Sequence, residues 1–223
     1  MKSAFVLACF FMTAAIKAQD CKNFYYVQDK KTIEMTIYGR KGDVSGRNVY
    51  NISNVKNTGG VITSEVNSEM FDKKGKSIVK SLTSFKCSGG VMMLDLKMMI
   101  PAQQQQQFKT EAKADNVYIE YPSNMQPGDN LKDANMTMEM NNNGVQQTLI
   151  MNITNRKVEG KEPVTTPAGT WDCFKISSKS KMTMKMGPMG IPMNFESTEW
   201  YAPGFGIVKT ESKHGSTMIT AVK

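Results

Sequence analysis

The sequence lacks most of the side chains on which hydrolytic and metal-dependent catalysis depends. It contains a single histidine, His214, which lies in the turn-like segment Lys213-His214-Gly215. Without a second histidine, Ser–His–Asp triads and His-based zinc sites are incomplete. The spacings G-x-S-x-G and H-E-x-x-H and that of a P-loop do not occur either. We therefore predict that the protein is not an enzyme, and we predict no cofactor and no metal site.

Long hydrophobic runs are also scarce. The one that stands out covers Ala4–Ile16, follows Lys2 and precedes Ala18. It is shorter than the roughly twenty apolar residues that a membrane-spanning helix needs, and its flanks are typical of a secretory signal. No linker or shift in composition divides the rest of the chain. We predict a signal peptide over residues 1–18 and a single domain over residues 19–223. The exported chain would have no transmembrane segment and would be periplasmic or associated with the outer envelope.

Cysteine is rare, with four residues, and bears on both anchoring and redox state. Cys9 lies in a lipobox-like context, but it comes too early, inside the apolar run, to end a signal. Cys21, Cys87 and Cys173 remain after cleavage, and in an oxidising compartment two of them tend to pair. The spacing leaves all three pairings open. We favour Cys21 with Cys87, which would tether the N-terminus of the exported chain and leave Cys173 as a buried thiol.

Charge of negative sign is in the minority, with 20 acidic against 28 basic residues. The basic residues are scattered, and several lie in turns such as Asp72-Lys73-Lys74-Gly75. A nucleic-acid site would need a basic stripe interleaved with stacking aromatics, and the sequence has none. We therefore predict no nucleic-acid partner. A weak attraction to anionic lipid headgroups or polysaccharide is compatible with this charge.

What the sequence has in abundance is alternation of apolar and polar residues with period two. Thr32–Tyr38 places Ile33, Met35 and Ile37 on one face, as expected for a strand with one buried side. Short connections rich in Gly, Asn and Pro separate such segments, which indicates antiparallel neighbours. The further predicted strands cover residues 62–70, 77–87, 91–99, 117–121, 135–140, 145–158, 161–166, 170–186, 193–202, 205–212 and 216–222.

One helix is predicted, over residues 102–113, because Pro101 suits a first helical turn and strong helix formers follow it. A sheet of about eleven strands cannot remain flat and must curl, split or close. The predicted fold is therefore all-β, a strongly curved antiparallel sheet with the short helix against its concave face.

Four groups of residues resemble a known family. They are Tyr121-Pro122 with Gly128-Asp129, then residues 156–162, then Thr166–Thr170 with Cys173, and finally Trp200–Gly204 with Gly206, Val208 and Lys209. Together they resemble the TapB-like domain of exported bacterial envelope proteins, a family largely of unknown function. The resemblance implies a curved antiparallel half-barrel, similar in outline to the carriers that move lipoproteins through the periplasm. It supplies no catalytic residues.

Methionine is the unusual component of the composition, with 19 residues. Two runs alternate with polar residues, so each places its methionines on one strand face. They are Met136, Met138 and Met140, and Met182, Met184 and Met186. Thioethers bind Cu(I), which is one interpretation of the runs. Core packing by an adaptable side chain is another. A Met-lined concave surface that accepts varied apolar ligands is the third.

The sequence thus predicts an exported, non-catalytic envelope protein that binds an apolar ligand, a lipid or an acyl chain, on the concave sheet. The predicted ligand-binding residues are the six methionines of the two runs together with Trp200 and Tyr201. Because these two rings point to opposite faces of a strand, we expect one in the core and the other exposed or lining the mouth of the sheet. The alternative function is a structural or assembly factor that binds another envelope protein through a sheet edge.

Overall fold

The structure is a computed structural model that describes residues 21, 24–99, 117–142, 145–187 and 189–223. The predicted signal peptide over residues 1–18 and the predicted helix over residues 102–113 lie outside the described residues. Everything below concerns the described part of the chain.

Twelve antiparallel strands form one sheet, which confirms the predicted all-β class. Across the sheet their order is β6-β5-β4-β3-β2-β1-β12-β11-β10-β9-β8-β7. Two short 3₁₀ turns, Tyr25–Val27 and Leu96–Met99, are the helical elements among the described residues. The strands are β1 (Thr32–Gly39), β2 (Val44–Thr58), β3 (Val61–Asp72), β4 (Ser77–Ser88), β5 (Val91–Asp95), β6 (Tyr118–Pro122), β7 (Ala134–Asn142), β8 (Val145–Thr166), β9 (Gly169–Met186), β10 (Met189–Ala202), β11 (Gly206–Ser212) and β12 (Gly215–Val222).

The sheet curls until its two outermost strands, β6 and β7, approach each other, so that it forms a nearly closed barrel. The inward residues of each strand alternate with outward ones and form the core. In β1 the buried residues are Ile33 and Met35, and in β4 they include Phe85 and Cys87. The curl buries most of the inward face of the sheet, while residues 189–196 of β10 extend past β11.

The disulfide links Cys21 to Cys87, the pairing favoured from the sequence. It ties the residue that precedes the first 3₁₀ turn to the inward face of β4. Cys173 is a buried free thiol in β9. The N-terminal segment is thereby fixed inside the curl, where Phe24 and Tyr26 are buried in the core.

Strand β2 is not among the predicted strands. Its sequence is rich in Asn and Ser, which are disfavoured in strands, and Ile52 is its one fully buried aliphatic side chain. Hydrogen-bonded ladders to β1 on one side and β3 on the other hold it in the sheet. Hydrogen bonding to β1 and β3 therefore outweighs the low strand propensity of the β2 sequence.

Residues 145–166 form one strand, where the sequence predicted two strands with a turn at Glu159-Gly160. The register between β8 and β9 shifts at Val158/Gly160, so these residues make a β-bulge and the chain does not reverse. Similarly, β10 begins at Met189, although residues 187–192 were predicted to interrupt the sheet. The prediction of a strand to residue 99 was also too long, since β5 ends at Asp95 and the 3₁₀ turn follows.

The β9–β10 hairpin projects beyond its neighbour. Ser197 of β10 pairs with Ser212, the last residue of β11, so residues 189–196 extend past the end of β11. Eight residues at roughly 3.3 Å per residue correspond to about 26 Å.

Among the described residues there is no helix that is long and apolar enough to cross a membrane.

Candidate functional site

A cavity of about 580 Å³ lies inside the curl of the sheet. Residues of β1 to β6 and of β10 to β12 line it, so it is enclosed by most of the barrel. Its walls are mainly apolar, and the larger side chains are Tyr26, Met35, Tyr50, Met70, Leu94 and Ile207. Most of these side chains point inward because of the strand alternation that also builds the core.

The polar groups of the cavity wall are largely paired with one another. Ser68 Oγ lies 2.7 Å from Ser81 Oγ, and both residues line the cavity. Thr210 Oγ1 lies 2.7 Å from Thr217 Oγ1 across β11 and β12. Asn48 Nδ2 donates to the Tyr50 hydroxyl at 3.3 Å. Hydroxyls satisfied in this way add little polarity, so the wall is compatible with an apolar occupant.

Arg156 is buried at the seam of the barrel, near one side of the cavity, with 1% of its surface exposed. Asn155 before it has a positive φ of 53°, and the β8–β9 register shifts between Thr154 and Lys157. This bulge adds a residue to the strand and turns Arg156 inward. Its Nη1 donates to the carbonyl oxygens of Glu120 at 3.0 Å and Lys132 at 3.1 Å. One side chain thus joins β8, β6 and the segment that leads into β7.

Glu199 and Tyr121 complete this seam cluster and line the cavity. Arg156 Nη2 lies 3.6 Å from Glu199 Oε1, and the Tyr121 hydroxyl donates to Glu199 Oε2 at 2.9 Å. The guanidinium also lies 4.9 Å from the centre of the Tyr121 ring. Burial raises the pKa of the Glu199 carboxyl, although Arg156 and the Tyr121 hydrogen bond oppose that rise. Burial likewise raises the pKa of Tyr121 well above its usual value, so its hydroxyl remains a donor.

The predicted methionines with described side chains occupy one continuous concave face, but none of them lines this cavity. Met136 and Met138 are buried, and Met182 and Met184 are half-buried. Met186 is 43% exposed. Met140 lies in β7, and its side chain is outside the described part of the chain. Ligand binding by these six residues therefore stays a prediction.

A row of four methionines crosses neighbouring strands on this face. Met136 pairs with Met151, Met151 with Met182, and Met182 with Met193. The exposure of the row increases from 1% at Met136 to 41% at Met193. Phe195, two residues beyond Met193 on the same strand face, lines the cavity. The methionine face is thus continuous with the cavity wall.

Trp200 and Tyr201 are both buried, so the expectation that one of them is exposed or at the mouth is wrong. The Trp200 ring is covered by the ammonium groups of Lys209 at 4.3 Å and Lys175 at 5.5 Å. Its Nε1 donates to Glu162 Oε1 at 2.6 Å. Tyr201 stacks on Tyr121 with ring centroids 4.4 Å apart. Long lysine side chains therefore bury the outward ring, which alternation alone does not predict.

Sequence reasoning assigned no role to the seam cluster. Arg156 lies in a lysine- and glutamate-rich segment that is typical of exposed strands, and only the bulge turns it inward. The sequence feature that could have indicated the cluster was the family resemblance, because Tyr121, Arg156 and Trp200-Tyr201 belong to three of the four groups of residues on which that resemblance depends. The structure brings these separate segments to one place.

The described residues include no group of three His, Cys, Asp or Glu side chains placed to hold a metal ion. His214 lies on the surface at the β11–β12 turn, where its Nδ1 is 3.3 Å from Arg40 Nη2. Cys173 is fully buried, and burial raises the pKa of its thiol to about 12. The thiol therefore keeps its proton at neutral pH, and it is enclosed in the core.

Two solved structures share this fold. One is from Bacteroides fragilis and is described as a "putative exported protein with YmcC-like fold"; identity is 22%, coverage is 88% of this chain and 96% of that chain, and the TM-score is 0.65. The other is from Parabacteroides distasonis and is described as a "putative lipoprotein"; identity is 21%, coverage is 90% and 98%, and the TM-score is 0.69. At these identities the likeness establishes the fold alone.

Among curated proteins nothing matches the chain. A family model does match, over residues 28–221, and thus covers nearly all of the described residues. The match does not confirm the TapB-like name, but it agrees with the expectation of a family of unknown function. The chain belongs to the DUF3108-like family.

Proposed function

We propose that this protein is an exported, non-catalytic envelope protein that binds an apolar ligand, a lipid or an acyl chain, inside its curled sheet. The observation that carries the proposal is the cavity of about 580 Å³ with mainly apolar walls. Pockets for small ligands typically measure about 300–1,000 Å³ and are mostly apolar with few polar groups. The paired hydroxyls of the wall fit an occupant that makes few hydrogen bonds.

The cavity wall includes flexible side chains that can adapt to a chain-like ligand. Met35, Met70 and Met98 line it, and thioether side chains repack at low cost. The methionine face of β7 to β10 continues from this wall through Phe195. In the proposed function this face extends the apolar surface, and its six predicted methionines contact the part of the ligand that leaves the cavity.

Export is supported by three observations. Residues 1–18 have the pattern of a secretory signal, and the two similar structures carry descriptions as an exported protein and a lipoprotein. A disulfide between Cys21 and Cys87 suits an oxidising compartment. We place the protein in the periplasm or at the outer envelope.

The alternative function, binding of an envelope partner through a sheet edge, has less support. The outermost strands β6 and β7 approach each other, and Arg156 already bonds the Glu120 carbonyl of β6. Strand addition requires a row of unpaired backbone groups at an accessible edge, and the edge that the described residues offer is residues 189–196 of β10, which pair with β9 but extend past β11.

The test is to fill the cavity and measure binding of a fluorescent acyl chain, cis-parinaric acid. Val79 of β4 lines the cavity, whereas Leu82 of the same strand faces outward and is 49% exposed. We expect Val79→Trp to raise the dissociation constant by at least about tenfold and Leu82→Trp to leave it unchanged. Equal affinity in both variants, or no binding by the unmodified protein, would overturn the proposal. Native mass spectrometry of protein from its own envelope fraction then identifies the natural ligand.

A further inference from the structure

Exposed apolar side chains are concentrated at one end of the barrel. Among the described residues, seven large hydrophobic side chains are exposed. Four of them lie on the projecting β9–β10 hairpin, namely Met186 (43%), Met189 (72%), Ile191 (61%) and Met193 (41%). Val44 and Ile78 follow the β1–β2 and β3–β4 turns, which lie at the same end because neighbouring strands are antiparallel. Leu82, further along β4, is the exception.

The four hairpin residues share one face. Met186 pairs with Met189, and Met184 pairs with Ile191, so both strands point these side chains to the same side. Phe195 follows on that side and lines the cavity, which shows that the face is concave. The hairpin therefore presents an apolar surface that begins at the cavity and ends about 26 Å beyond the end of β11. Exposed apolar patches of this kind mark sites of association.

The turns at this end are strongly basic. Those with described side chains, residues 40–43, 73–76 and 213–214, contain six basic residues and one acidic residue. The hairpin adds Lys179, Lys181 and Lys185 against Glu196. At the opposite end the turns at residues 59–60, 89–90, 167–168 and 203–205 contain no charged residue, and the β6–β7 connection, residues 123–133, contains two acidic residues and one basic residue, Asp129, Asp133 and Lys132. The basic residues are Arg40, Lys41, Lys73, Lys74, Lys76 and Lys213.

We propose that the basic end of the barrel docks on an anionic lipid bilayer and that the apolar face of the β9–β10 hairpin inserts into its interface. An apolar face combined with several lysines is the combination that binds anionic membrane surfaces. A second copy of the chain is a poorer occupant, because its own basic turns would repel those of the first. Docking of this kind points the cavity at the membrane. It does not depend on ligand binding in the cavity.

The apolar contribution is tested by flotation of the chain from Gln19 onward, which contains all the described residues, with phosphatidylcholine vesicles that contain phosphatidylglycerol. We expect the double variant Met189→Gln/Ile191→Thr to bind at least about tenfold more weakly, since both side chains are exposed and their loss leaves the fold intact. Leu82→Thr, an exposed apolar residue outside the hairpin, is the matched control and should bind as the unmodified chain does. Equal binding by all three proteins overturns the proposal.

The electrostatic contribution is tested with charge reversals at the two ends. Lys74 lies in the β3–β4 turn at the basic end, and Lys56 lies near the opposite end of β2; both are exposed. A lysine near an anionic surface contributes about fivefold in affinity, so Lys74→Glu should weaken binding on the order of tenfold. Lys56→Glu should change it little, and neutral vesicles should bind neither protein.

The same variants separate docking from the other outcomes. Equal effects of Lys74→Glu and Lys56→Glu overturn the proposed orientation. A dimer in sedimentation that the hairpin variant disrupts, with no vesicle binding, assigns the face to a second copy and overturns the proposal. If Val79→Trp leaves the affinity for cis-parinaric acid unchanged, ligand binding in the cavity is refuted. Membrane docking is not, because Val79 is not on the hairpin face.

Discussion

Arg156 is a charged residue in a place where the sequence gives no reason to expect one. Its guanidinium bonds the carbonyl oxygens of two segments, pairs with Glu199 and packs on Tyr121. Removing a guanidinium from water is costly, and the two bonds from Nη1 together with the ion pair to Glu199 offset part of that cost, although Nε and Nη2 make no hydrogen bond. The residue therefore stabilises one particular closure of the sheet, in which β6 approaches the β7–β8 side.

Replacing Arg156 with alanine should lower the free energy of unfolding by about 3–5 kcal/mol, because Glu199 would lose its cation and the Glu120 and Lys132 carbonyls would lose their donor. Urea denaturation monitored by tryptophan fluorescence measures the change. Arg47→Ala is the control, since Arg47 and Glu34 form a pair that is 43% and 30% exposed, and it should cost less than about 1 kcal/mol. Similar losses for the two variants would show that the seam contributes no more than a surface ion pair.

Among the secondary-structure elements, the β10–β11 connection places the N-terminal segment. Strand β11 begins at Gly206, whose φ is 138°, and the Tyr26 ring packs directly against its α-carbon. Tyr26 in turn contacts Phe85, with ring centroids 4.9 Å apart, and lines the cavity. Because residue 206 has no side chain, the first 3₁₀ turn can lie inside the curl of the sheet.

Gly206→Ala should therefore destabilise the protein by about 2–4 kcal/mol, because the new methyl group overlaps the Tyr26 ring and the φ value disfavours any side chain. Gly60→Ala separates the two effects, since Gly60 also has a positive φ of 83° but has nothing near its added Cβ. We expect Gly60→Ala to cost about 1 kcal/mol. Thermal denaturation of both variants measures the difference. A smaller loss for Gly206→Ala than for Gly60→Ala would contradict this packing.

For the whole molecule, the disulfide connects the first described residue to β4, the third strand from one edge of the sheet. Cys21 and Cys87 are 66 residues apart and both are buried. The bond keeps the inner segment in place, and this segment forms part of the cavity wall through Tyr26.

Reduction of this bond should lower the free energy of unfolding by about 4 kcal/mol, since a cross-link over a loop of this length restricts the unfolded chain by that amount. The measurement is urea denaturation of the unmodified protein and of Cys21→Ser/Cys87→Ser, each with and without dithiothreitol. The reductant should affect only the unmodified protein, because Cys173 is a free thiol in both. An unchanged midpoint on reduction would mean that the bond does not constrain the unfolded state.

Part of the sheet could be predicted from local sequence, as β1 and β3 illustrate. In β1, Ile33, Met35 and Ile37 recur at every second position, and in β3 Ile62, Val66 and Met70 share one face, which must be buried. Strand β2 could not be predicted in this way, because its Asn-rich sequence is held by ladders to residues elsewhere in the chain. The sequence predicted the kind of candidate site, an apolar concave surface. It did not predict which residues line the cavity, because Met35 and Met70 come from one half of the chain and Glu199 from the other.

By itself, the sequence determined the strand periodicity, the antiparallel connections and the presence of one buried face, because these depend on neighbours within a few residues. Only the tertiary structure decided how the sheet closes, which methionines remain exposed and why Arg156 is buried. Each of those depends on register between strands far apart in the chain, where a shift of one residue moves every side chain to the other face.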